Sequence, residues 1–239
     1  MDIKRQYFDL IENRINTVYD KQKDKFKEVV NLFGDCMNNN GVVQLFGVKH
    51  GEEFVNELNY RAGGIAPYHA FRAKDLMLKG LVSQADIDSG TIYANTKLVD
   101  MFLENYQIDD RDMMVLVSYS GDEPLVIELA KRYKANNQRV VAVINRKTYD
   151  KTGSNLLDYC DAWLDMMADD PDIALDINGV KVGQLSSTTT NVIAQMLTAD
   201  LYEYFVSHGK TPPVLLSANV KGADVHNNSL TDPYERRVR

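Results

Sequence analysis

Apolar residues first recur at helical spacing: Tyr7, Ile11, Ile15 and Val18, then Phe26, Val29, Val30 and Phe33, with charged residues between them. The pattern predicts a long N-terminal helix over residues 3–37, halted by Asn38-Asn39-Asn40-Gly41, where Gly41 suits a left-handed turn. Past Gly41 the period changes. Short, nearly unbroken apolar runs occupy residues 42–47, 113–118 and 139–145, with a weaker run at 162–166. Runs without polar alternation suit strands covered on both faces, as in a parallel sheet. Helical patterns fill the gaps at 52–61, 95–106, 123–135 and 189–207. This alternation predicts a doubly wound, three-layer α/β/α sandwich with a mainly parallel sheet. Residues 173–182 add a small hairpin turning at Asn178-Gly179. No repeat, low-complexity run or long linker divides the chain. Residues 1–239 therefore read as one domain, with a helical segment at 1–40 and a polar tail at 220–239. The tail drapes over either the domain or a partner subunit, and the sequence leaves both placements open.

In an open parallel sheet, ligands lie beyond the carboxyl ends of the strands. Gly47-Val48-Lys49-His50-Gly51 follows the first run, and Ser118-Tyr119-Ser120-Gly121-Asp122-Glu123-Pro124 follows the second. Ser186-Ser187-Thr188-Thr189-Thr190 precedes the last long helix. In the second loop, two hydroxyls and a glycine open a helix whose first amides lack intrahelical partners. Hydroxyls, amides and the helix dipole together make a phosphate cradle. Asp122 and Glu123 favour the helix start, and Pro124 suits its first turn. A plain hydroxyl cap explains the same residues, and the 186–190 run has the same two readings. Two such loops in one chain bring phosphate binding level with capping.

Charge narrows the choice of partner. The formal net charge of −7 disfavours nucleic acid, which needs a basic surface, but it leaves room for one phosphate held by a local set of donors. No apolar run reaches bilayer length, and the N-terminus lacks a signal-peptide layout, so the cytoplasm without membrane attachment is expected. Cys36 and Cys160 lie far apart without metal-type spacing and suit a reducing compartment. No cluster of His, Cys, Asp and Glu has ligand spacing, so neither a catalytic metal nor a cofactor is expected.

Several segments, taken in order, resemble the sugar isomerase (SIS) domain family, and within it the proteins related to phosphoheptose isomerases. They are Glu57-Leu58-Asn59-Tyr60-Arg61-Ala62-Gly63-Gly64, then Ser118-Tyr119-Ser120-Gly121, then Val182-Gly183 ahead of Ser186-Ser187-Thr188. Ser217-Ala218-Asn219-Val220 and His226-Asn227 complete the set. The resemblance implies phosphosugar binding at the strand ends, in a homodimer whose sites lie near the subunit interface. It further implies that Ser118, Ser120 and Gly121 hold the phosphate while Ser186, Ser187 and Thr188 close over it. Glu57 then stands where related isomerases place a catalytic base, and His226 takes the histidine part.

The first loop departs from the family pattern. It carries Lys49 and His50, with Gly51 where relatives place a serine. Lys49 either gives the phosphate a point charge or fills the pocket of a member with altered activity. Glu57 also lies four residues before Arg61, the spacing of a surface ion pair. The leading expectation is an aldose–ketose isomerase. Glu57, with a pKa raised by partial burial, would move a proton between adjacent carbons through an enediol(ate). His226 or His50 would assist ring opening or protonate a carbonyl oxygen. A non-catalytic phosphosugar sensor and a lyase for an amino-sugar phosphate are the other readings, and fold alone does not choose among them.

Overall fold

The computed structural model describes residues 2–238. The N-terminal stretch is helical, as its spacing predicts, but in two pieces, α1 (Ile3–Lys21) and α2 (Lys23–Asn38). Gln22 separates them, with φ at −123°. Its buried side-chain amide donates to the Asp165 carbonyl at 2.8 Å and accepts from the Asp165 amide at 2.7 Å. The glutamine thereby stands in for one rung of a neighbouring strand and satisfies backbone groups that would otherwise lack a partner.

The chain continues through β1 (Val43–Gly47), α3 (Gly51–Leu58), β2 (Tyr68–Phe71), α4 (Ala73–Leu78), α5 (Gln84–Ser89) and α6 (Leu98–Asn105). Next come β3 (Met113–Val117), α7 (Pro124–Ala135), β4 (Val140–Ile144), α8 (Arg146–Thr152) and β5 (Ala162–Asp165). These five strands form one parallel sheet in the order β2-β1-β3-β4-β5, the doubly wound arrangement the alternation predicts. Strand β2 is an addition to the four predicted runs. It has only four residues, includes His69, and is defined by its register with β1, Val43 opposite Tyr68. A hairpin of β6 (Leu175–Ile177) and β7 (Val180–Val182) turns at Asn178-Gly179, both with positive φ. Helices α9 (Ser186–Ser207) and α10 (Ala223–Thr231) end the order.

Alternate residues of β3 serve opposite faces. Met113, Val115 and Val117 join α2, α3 and α9 in one core, while Met114 and Leu116 join α6 and α7 in the other. A strand covered on both sides has no solvent face to mark with polar residues, hence its unbroken apolar run. Helices α2 and α9 meet closely at Gly34, where a Cβ would come within 2.1 Å of the Tyr204 ring.

The polar tail lies on its own domain. Ala223, Thr231 and Val238 are buried, and Arg237 pairs with the sealed carboxylate of Asp112, just ahead of β3. Among the described residues, no helix is long and apolar enough to cross a membrane.

Candidate functional site

The order of the sheet reverses between β1 and β3, whose carboxyl ends lie side by side. Gly47 is opposite Val117, and the Val48 amide donates to the Val117 carbonyl at 2.9 Å. Loops leaving such neighbours in opposite directions open a crevice. Here it holds a cavity of about 280 Å³. The β1 loop contributes Lys49 and His50, the β3 loop Tyr119, Ser120 and Glu123, and the start of α9 Ser186, Ser187 and Thr190.

In the β1 loop, Lys49 takes a left-handed conformation, φ 51°, and the next residues start α3. A Cβ on Gly51 would lie 2.5 Å from the Val117 carbonyl oxygen. Close contact of helix and strand backbones therefore excludes a serine at position 51, and the exposed side chains of Lys49 and His50 remain at the rim.

The β3 loop has an anchoring part and an open part. Ser118 is buried. Its hydroxyl donates to Glu123 Oε2 at 2.5 Å and accepts from the Gly121 amide at 2.8 Å. Gly121 has φ 68°, and a Cβ there would meet the Tyr149 ring at 2.9 Å, so both conformation and space require glycine. Ser120 lines the cavity, with its hydroxyl donating to Asp122 Oδ1 at 2.5 Å. Burial raises the Tyr119 phenol above its ordinary range, so it remains a neutral donor, bonded to the Asp169 carbonyl.

Helix α9 begins at Ser186, so the hydroxyl run forms its first turns rather than a loop before it. Its amino end is already capped from outside. Asp172 accepts from the Leu185 amide at 3.3 Å and the Ser186 amide at 3.1 Å, where negative charge meets the positive end of the helix dipole. Thr189 and Thr190 hydroxyls turn back to carbonyls of Leu185 and Ser187. The Ser186 and Ser187 side chains are left to face the cavity. Both cavity carboxylates, Glu123 and Asp172, thus carry protein donors.

A second hollow of about 530 Å³ lies between α3 and α9, bordered by Glu57, Ser187, Thr188 and Gln195. Ser187 borders both hollows. Glu57 Oε1 accepts from Gln195 Nε2 at 2.6 Å and pairs with Arg61, whereas Oε2 has no partner among the described residues.

Of the residues singled out in the sequence, Lys49, His50, Ser120, Ser186 and Ser187 line the first cavity. Ser118 and Gly121 lie behind it and shape the loop, while Glu57 and Thr188 face the adjoining groove. His226 is on α10, its Nε2 donating to the Val214 carbonyl at 2.9 Å, and it borders neither hollow. Sequence reading missed Tyr119, Glu123, Met166, Asp172 and Gln184 as lining residues. Asp172 had a signal: the hairpin register of Leu175 with Val182, carried three residues outward, sets position 172 opposite 185, next to Ser186. Among the described residues, no three His, Cys, Asp or Glu side chains are grouped to hold a metal ion.

The SIS domain family model matches residues 6–145, well over half of the chain. The chain belongs to the SIS domain family. The match includes Lys49, His50, Glu57 and the Ser118–Gly121 loop, and the resemblance read from the sequence agrees with it. A UPF0309 protein of Listeria monocytogenes serotype 4b is 30% identical to this SIS chain over 241 residues, covering 97% of it and 96% of the relative. A UPF0309 protein of Halalkalibacterium halodurans is 28% identical over 242 residues, covering 97% and 94%. Among solved structures, a phosphoheptose isomerase from Francisella tularensis superposes with a TM-score of 0.56 at 14% identity, covering 84% of this chain and 97% of that one. The c3406 protein of E. coli CFT073, solved in complex with a sugar phosphate, gives 0.52 at 14% identity, covering 84% and 89%. At such identity these two establish the shared fold alone.

Proposed function

We propose that the protein binds a sugar phosphate in the crevice between β1 and β3 and interconverts its aldose and ketose forms. One observation carries the reading. Ser187 borders both the hydroxyl-lined cavity and the Glu57 groove. A ligand with its phosphate among Lys49, Ser120 and Ser186 would extend past Ser187 toward the uncommitted oxygen of Glu57. Anchoring the phosphate away from the reacting carbons supplies orientation for the proton transfer.

In this mechanism Glu57 Oε2 takes the proton from the carbon beside the carbonyl, and the electron pair left behind forms the enediol(ate). The same oxygen returns the proton to the neighbouring carbon, so the carboxylate is regenerated. Gln195 and Arg61 hold Oε1 and fix the orientation of the carboxylate through both transfers. His50, at the cavity rim, serves the carbonyl oxygen. His226 acts only if a second copy of the chain presents it.

Membership of the SIS family supports this reading, as does the fold shared with a phosphoheptose isomerase and with a protein solved in complex with a sugar phosphate. A homodimer belongs to it, since α1 leaves Ile3, Phe8, Leu10 and Tyr19 exposed as an apolar face for a second copy. Its compartment is the cytoplasm: burial pushes the Cys36 and Cys160 thiols up to about 12, and inert buried thiols suit a reducing setting. The test is turnover of sugar phosphates by wild type and Glu57→Gln. Full activity in the variant would reject the assignment of the base. A non-catalytic phosphosugar sensor is the second reading, favoured by the ion pair that Arg61 makes with Glu57. Stabilisation by ligands without turnover selects it.

A further inference from the structure

A second cavity of about 840 Å³ lies at the free edge of β2, away from the β1/β3 crevice. Its walls include His69 from β2, Arg72, Asp75 and Lys79 from around α4, and Tyr106 after α6. His69 is a polar residue in the interior, only 8% exposed.

A chain of buried polar contacts fixes its tautomer. Asp112 accepts from the Val42 amide at 2.8 Å, the Asp109 amide at 3.0 Å and Gln44 Nε2 at 3.0 Å, and it pairs with Arg237. With so many donors on it, the carboxylate can only accept, so the Gln44 amide must point its NH2 toward Asp112. Gln44 Oε1 then faces His69 Nδ1 across 2.7 Å and takes its proton. Nδ1 is therefore the protonated nitrogen, and Nε2 carries a lone pair.

No group among the described residues donates to that lone pair, and Nε2 is not among the unpartnered polar atoms sealed from solvent. It is thus open to the cavity the ring lines. The ring stands edge-on to Tyr106, with centroids 4.7 Å apart. Burial lowers the imidazole pKa to about 4, so Nε2 stays an acceptor at neutral pH. The surrounding charge favours an anion. Asp75 accepts from the Tyr106 hydroxyl at 2.7 Å, whereas Arg72 and Lys79 are held only by neutral Asn56 and Asn105.

We propose that this cavity binds a small hydroxylated anion, whose hydroxyl donates to His69 Nε2 and whose carboxylate or phosphate lies against Arg72 and Lys79. Gln44 acts as a positioning residue, holding the tautomer that makes Nε2 an acceptor.

The test follows the His69 ring nitrogens by NMR in full-length protein with labelled histidine. The probes are glycerate and glycerol 3-phosphate, with glycerol and acetate each supplying only one of the two required features. A saturable shift of Nε2 with glycerate alone identifies a carboxylate site, and one with glycerol 3-phosphate identifies a phosphate site. His69→Phe weakens the binding of that probe about tenfold or more, the effect of losing a buried hydrogen bond, whereas Ser120→Ala in the other cavity leaves it unchanged. Because the wild-type spectrum is read directly, the test stands even if the Phe variant fails to fold. The proposal is overturned if Nε2 is protonated in the free protein at neutral pH. It is equally overturned if neither anion moves the resonance, or if glycerol or acetate alone moves it as much.

Discussion

Ser118 and Glu123 share a hydrogen bond of 2.5 Å, and the same serine oxygen takes the Gly121 amide proton at 2.8 Å. The two bonds close the base of the β3 loop and leave Ser120 as the hydroxyl that lines the cavity. Ser118→Ala leaves a buried amide and a carboxylate oxygen short of a partner. It should lower unfolding free energy by about 1–3 kcal/mol, read from urea denaturation. Ser120→Ala should cost less stability and act chiefly on the affinity for a phosphorylated ligand.

Lys49 combines a left-handed backbone with a cation at the cavity rim. Lys49→Gly separates the two. Relief of the unfavourable conformation is worth about 1 kcal/mol and should raise stability slightly. Loss of the charge should weaken sugar-phosphate binding roughly tenfold or more and flatten its dependence on salt. Calorimetric titration at low and high ionic strength checks both effects on binding.

Glu57→Gln keeps the shape of the side chain and the groove while removing the base. Turnover should fall by about 10²–10⁴, the usual contribution of a positioned proton acceptor. Stabilisation by ligand should persist, because Glu57 does not line the phosphate cavity. Parallel measurements of rate and melting temperature separate the two.

His69 gives the fold a defined response to acid. Its imidazole protonates near the ordinary 6.5 when unfolded but at about 4 when buried, so between those values the unfolded chain binds more protons. Its contribution is fully present above about pH 6.5 and is lost as pH falls toward about 4, on the order of 3 kcal/mol in all. The difference between wild-type and His69→Phe stability should slope across this window and be flat above it. A difference independent of pH would contradict the buried neutral ring.

The sheet was legible because strands such as Met113–Val117 are covered on both faces and show it as unbroken apolarity. Gln22 and His69 were harder to read, since each is a polar residue whose partner lies far along the chain; Gln22 meets Asp165 across 143 positions. Local periodicity cannot register a bond of that kind. The Ser118–Gly121 loop stood out as a set of donors, but which hydroxyl faces the ligand depends on Glu123 turning back to Ser118. Position 172 was recoverable from the hairpin register once Asn178-Gly179 had been recognised as its turn.

The central claim is that the β1/β3 crevice holds the phosphate of a sugar phosphate. Melting temperature measured across a panel of sugar phosphates, for wild type and for a Ser120→Ala, Lys49→Gly double variant, tests it most directly. The account predicts that at least one phosphorylated sugar raises the wild-type melting temperature, that its unphosphorylated parent does not, and that the double variant loses most of the effect. No stabilisation by any phosphorylated sugar, or equal stabilisation of the double variant, would contradict it.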